Sequence, residues 1–131
     1  MDKKQLKKKL EKIAKNFIKE RDNYTCQRCE KRVEGTDCHA SHVIPVSLDG
    51  WLAHDSLNMK VLCRKCHIDF WHAYPLQAKE WFEKKFPLRA AYLDSQHNEN
   101  RTRGPIPASY YENEIDRIKF LSNVRDNQSL L

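Results

Sequence analysis

Four of the five cysteines fall into two C-x-x-C pairs, Cys26/Cys29 and Cys63/Cys66, with 33 residues between them. Each such turn presents two thiolates to one ion. Two turns fill a tetrahedral shell, so the spacing predicts one closed, structural Zn²⁺ site. A redox pair would need a βαβ surround, which the pattern does not offer. The odd cysteine count fits a disulfide set poorly, and residues 1–17 hold no continuous apolar run of a secretory leader, so a reducing, cytoplasmic setting is expected. The fifth thiol, Cys38, reads as a small buried residue. Histidines cluster around the same pairs: His39 and His42 lie between them, and His67 and His72 just beyond. Imidazole titrates near neutrality and also ligates divalent cations, so these side chains suit proton abstraction from water beside a metal ion.

Three short segments, S-H-V-I-P around His42, S-L-N-M around Asn58 and C-R-K-C-H ending at His67, resemble the HNH (ββα-metal, His-Me finger) endonuclease superfamily. Many of its members carry paired C-x-x-C knuckles around the same unit. The resemblance covers residues 22–86. H-A-S-H at 39–42 is similar to the D-A-G-H element of NinG-type phage recombination proteins. The resemblance implies hydrolysis of DNA phosphodiester bonds, with His42 as general base and Asn58 pinning the loop that carries it. It also implies a divalent cation, Mg²⁺ or another, with His67 as a ligand, beside the structural Zn²⁺. A role in phage DNA recombination or processing would follow, in a bacterial or phage-infected cell.

One position departs from the family pattern. Most members place Asp or His immediately before the base, where this chain has Ser41. His39 shares a strand face with residue 41, so it is expected to replace the missing ligand. His72 follows His67 by five residues, off the i, i+4 stacking of an α-helix, and would join the ligands only on a distorted helix. Ser41 also motivates the alternative of a catalytically inactive, zinc-stabilised nucleic-acid-binding module. His54 and His97 sit in polar stretches and are expected on the surface.

These residues need positioning elements. Leu6, Leu10, Ile13 and Phe17 recur at helical spacing and predict a helix over 3–19. Extended segments are expected at 38–46 and 59–63, and a helix from the second knuckle through His72. Pro75 should open a further helix ending at Phe86, before Pro87. Residues 94–108 are polar and read as a linker. Ser109 and Glu112 match a capping box for a last helix with Tyr111, Ile115, Ile118 and Leu121 on one side. The expected class is α+β: a small ββα-metal finger on a four-cysteine zinc-knuckle frame, flanked by helices at both ends. The expected divisions are a basic N-terminal helix (1–20), a zinc-framed nuclease domain (21–93), a linker (94–108), and a C-terminal helix and tail (109–131).

The formal charge is +6, and residues 1–20 carry eight lysines against three acidic residues, so five of the six surplus charges lie there. Lysines without interleaved aromatics suit phosphate contact rather than base readout. Lys4, Lys7 and Lys8 on the first helix, with Arg28, Arg32, Arg64 and Lys65 on the knuckles, are the expected DNA contacts. No apolar run reaches membrane-spanning length. A homodimer, or a protein partner on the C-terminal helix, is left open by the sequence.

Overall fold

The computed structural model describes residues 1–128, with side chains through residue 125. Helix α1 spans Lys3–Arg21 and is opened by a capping box. Asp2 Oδ1 accepts from the Gln5 amide at 2.8 Å, and Gln5 Oε1 accepts from the Asp2 amide at 3.0 Å. Its fully buried line is Leu6, Leu10, Ala14 and Ile18, flanked by partly buried Ile13 and Phe17.

Strands β1 (His39–His42) and β2 (Met59–Leu62) pair antiparallel, with His39 opposite Leu62 and His42 opposite Met59. A two-stranded ribbon is marginal alone in water. Here α1 braces it: Arg21 Nη2 donates to the Met59 carbonyl at 2.8 Å, and the Val61 amide donates to the Asp22 carboxylate at 2.8 Å.

A π-helix, Cys66–His72, follows the second knuckle. Then come α2 (Pro75–Lys85), α3 (Pro87–Asn100) and α4 (Ala108–Gln128). The result is a mostly helical α+β fold with one hairpin, a four-cysteine cluster and a helix at each end. The larger apolar cluster joins α1, the hairpin, the cysteines and Tyr111, Ile115 and Ile118 of α4. A second cluster, Leu52, Phe82 and Leu93, lies under the loop after β1. Among the described residues, no helix is long and apolar enough to cross a membrane.

The structure corrects several expectations. Residues 94–100 are helical rather than linker. Polarity misleads there because Asn100 is buried by bonding to the Asp49 carboxylate at 3.2 Å. Pro87 begins α3 at its first turn instead of only ending α2. Helix α4 starts at Ala108, so Ser109 lies inside the first turn and not at the cap. Tyr111, Ile115 and Ile118 of the α4 stripe are buried in the cluster shared with α1, while Leu121 is half-buried. The end of the 109–131 stretch, residues 129–131, lies outside the described residues.

Candidate active site and metal centre

The four knuckle cysteines converge, with every Sγ within 4.8 Å of the others. Cys29 Sγ and Cys63 Sγ are 3.9 Å apart, close to the ~3.8 Å that two thiolates span on a tetrahedral ion with Zn–S of ~2.3 Å. Cys26, Cys63 and Cys66 are buried and Cys29 is exposed. Two donors already point at sulfur: the Cys66 amide at 3.3 Å from Cys63 Sγ, and Arg28 Nη1 at 3.5 Å from Cys66 Sγ. Burial pushes the Cys66 thiol up to about 12, so a cation is needed to hold that sulfur as a thiolate. The donor set fits a structural zinc.

His42 ends β1. Its Nε2 lies 2.8 Å from the Ala53 carbonyl, which can only accept, so Nε2 carries the hydrogen and Nδ1 keeps the lone pair. Burial lowers the His42 pKa below its usual 6.5, partly offset by that carbonyl. Asn58, fully buried, ties two points of the loop that follows the base. Its Oδ1 accepts from the Ile44 amide at 2.8 Å, and its Nδ2 donates to the Ile44 and Leu52 carbonyls at 3.0 Å each.

His39, His67 and His72 come together as a string. His39 Nε2 donates to the Thr36 carbonyl at 2.8 Å, so its Nδ1 accepts from His67 Nδ1–H at 2.9 Å. His67 Nε2 then accepts from His72 at 3.0 Å. The five-residue spacing becomes adjacent because the helix here is π, whose repeat is i→i+5. Since His67 meets its neighbours through opposite ring nitrogens, one ion can face a pair of these histidines but not all three. Each pair's separation matches the ~3.0 Å between adjacent ligands of a six-coordinate ion at ~2.1 Å. Among the described residues, the cysteines are the single set in which three or more such ligand atoms all lie within 4.8 Å of one another. Burial, then His72 and His39, lower the His67 pKa to about 4.

Ser41 faces Lys60. It is buried and accepts at 3.2 Å from Lys60 Nζ, which sits 3.3 Å from the Trp71 ring centroid. Lys60 is completely buried, and burial holds its pKa well below the ordinary lysine value.

Two hollows meet at His42. One, about 210 Å³, is lined by Lys7, Glu11, Lys15 and His54. The other, about 660 Å³, is lined by His67, His72, Trp71, Phe82 and His97 among others. Lys7 is thereby next to the base, while Lys4 and Lys8 stay exposed further along α1. Arg28 stacks on Phe70 at 3.6 Å. Arg64 and Lys65 line a small separate hollow with Asp37 and Asp69, and Arg32 is exposed.

The sequence reading missed four residues around this site. Ala53 acts through its backbone, which no residue type signals. Lys60 was unremarked on a strand that is buried throughout. His54 is 6% exposed, with its pKa lowered to about 4 by burial. His97 donates to Asp49 at 2.9 Å. The spacing of Leu93, His97 and Asn100 on one helical face was the available signal for His97.

The HNH endonuclease family model matches residues 26–69. That stretch, about a third of the chain, runs from the first knuckle through the hairpin into the π-helix and holds His39, His42, Asn58 and His67. No curated protein and no solved structure matches the chain. Residues 26–69 thus match the HNH endonuclease family model and include the four-cysteine cluster.

Proposed function

We propose that the protein is a metal-dependent endonuclease that hydrolyses DNA phosphodiester bonds at His42. The observation that carries this reading is the base itself: its Nε2 is fixed on the Ala53 carbonyl, leaving Nδ1 free, and it shares a cavity with His67 and His72. In the reaction, water attacks phosphorus in line with the 3′ oxygen while His42 Nδ1 takes its proton. The P–O3′ bond breaks, the leaving oxygen gains a proton from solvent, and a 5′-phosphate and a 3′-hydroxyl result. Burial keeps His42 neutral, and so ready to accept, at physiological pH.

His67 and His72 would hold a divalent cation, through the nitrogens that face each other. His39 would orient His67 from behind through the Nδ1 contact, in the manner of an outer-shell partner. When bound, the cation supplies electrostatic stabilisation of the negative charge that develops on the phosphate and leaving oxygen. Lys7 and Lys15, beside His42, would take the flanking phosphates, with Lys4 and Lys8 extending the path along α1. A place in phage DNA recombination fits the H-A-S-H segment.

The test is cleavage of labelled DNA by zinc-loaded protein titrated with Mg²⁺, Mn²⁺ or Ni²⁺. His67→Ala and His72→Ala should each raise the cation concentration needed for half-maximal rate. An unchanged cation dependence in both variants would remove these ligands. A second reading, an inactive DNA-binding module, is favoured by Ser41 facing Lys60 in place of an acidic ligand. DNA binding without cleavage under every cation would select it.

A further inference from the structure

The cavity of about 660 Å³ has the size of a small-ligand site, yet the reaction at His42 uses only its edge. The two hollows that meet at His42 differ in chemistry. On the α1 side stand Lys7 and the Lys15–Glu11 pair at 2.9 Å, which leaves the Lys7 charge in surplus. On the other side the wall is apolar and aromatic, with Trp71, Phe82 and Leu93, and its charged members include the carboxylates Glu83 and Asp94. Lys79, also on that wall, pairs with Glu83 at 3.8 Å, which leaves the Asp94 carboxylate in surplus. A phosphate would be drawn toward Lys7 and away from Asp94. A nucleobase, neutral and flat, has the opposite preference.

His97, on the cavity wall, is fixed in place by a buried partner. The Asp49 carboxylate, 2% exposed, accepts from His97 Nδ1 at 2.9 Å, from the Trp51 amide at 3.0 Å and from Asn100. Because a carboxylate can only accept, Nδ1 carries the hydrogen, and His97 Nε2 is the ring nitrogen left for a ligand.

We propose that this cavity is a subsite for the base of an unpaired nucleotide beside the scissile phosphate, with His97 as its polar anchor. This rests on the nuclease reading and names its substrate class. A base stacked in a duplex cannot enter a concave site without being extruded, at the expense of stacking and pairing. The enzyme therefore selects single-stranded, flapped or looped DNA over continuous duplex.

The test compares cleavage of one sequence as single strand and as duplex. It then scans single strands carrying one abasic tetrahydrofuran at each position around the cut. The expected result is at least a tenfold preference for the single strand, and a loss of at least tenfold at one position next to the cut. In His97→Ala the ratio of intact to abasic cleavage should fall toward one, while His97→Gln should retain part of it. A merely structural His97 would lower both rates together. Equal cleavage of duplex and single strand, or a flat abasic scan, overturns the proposal while leaving the nuclease. If wild type cuts nothing, 2-aminopurine in the single strand decides. Emission that changes with wild type but not with Ala90→Trp, which fills the cavity, keeps the base subsite and removes the nuclease. Emission unchanged with wild type removes both.

Discussion

At the residue scale, His42 is held for proton transfer by two separate devices: a carbonyl that fixes its tautomer and burial that lowers its pKa. His42→Ala should keep the wild-type melting temperature within a degree or two, because the side chain is only half-buried, while the cleavage rate falls on the order of 10²–10⁴-fold. The acid limb of the rate profile should have its midpoint below 6.5, since the base works unprotonated and its pKa is lowered. A midpoint above 6.5 would mean another group limits the rate. His54 makes a stability statement. Burial lowers its pKa to about 4, so between about 4 and 6.5 the unfolded chain binds the extra proton and stability falls as pH falls through that window. His54→Leu should flatten the change in melting temperature between pH 6.5 and 5.5; an identical slope in the variant would count against the buried neutral imidazole. The identities of His42, Asn58 and His67 were readable from local segments. The fixed partners were not, because Ala53 and Thr36 contribute carbonyls and Lys60 owes its place to the Trp71 ring.

At the element scale, the loop between β1 and β2 depends on Asn58. Removing its side chain leaves the Ile44 amide and the Ile44 and Leu52 carbonyls without these partners in a buried place, so Asn58→Ala should cost about 3 kcal/mol in a denaturant titration. A loss under about 1 kcal/mol would mean water replaces the amide. The second strand, α1 and the start of the helix after the second knuckle were legible, because apolar spacing and cysteine spacing mark them directly; the first strand ends at His42, short of the extended segment expected to residue 46. The π turn was not: no residue type encodes it, and only the short contact between His67 and His72 resolves their five-residue spacing. The second half of α3 was hidden for a related reason. Its buried face is made of polar groups satisfied by Asp49, which a search for apolar periodicity passes over.

At the scale of the whole molecule, the terminal helices share one apolar cluster with the hairpin and the cysteines. Charge and apolar spacing together showed α1 as a basic helix with one apolar face, but not that this face packs against α4 and the hairpin. Deleting residues 105–131 should therefore unfold the protein rather than spare cleavage, because it strips Tyr111, Ile115 and Ile118 from α1; a cooperative melt in the truncated chain would contradict this. Zinc removal or Cys63→Ser should likewise abolish the cooperative melt, since Cys26, Cys63 and Cys66 belong to the same cluster. The central claim is that His42 hydrolyses DNA with the help of an added cation. It is tested most directly by single-turnover cleavage of a labelled single strand by zinc-loaded wild type and His42→Ala, each with saturating Mn²⁺ and with none. A nuclease centred on His42 requires cleavage by wild type with Mn²⁺ alone and a near-complete loss in His42→Ala. Equal rates in the two proteins, or no cleavage by wild type under any cation, would contradict it.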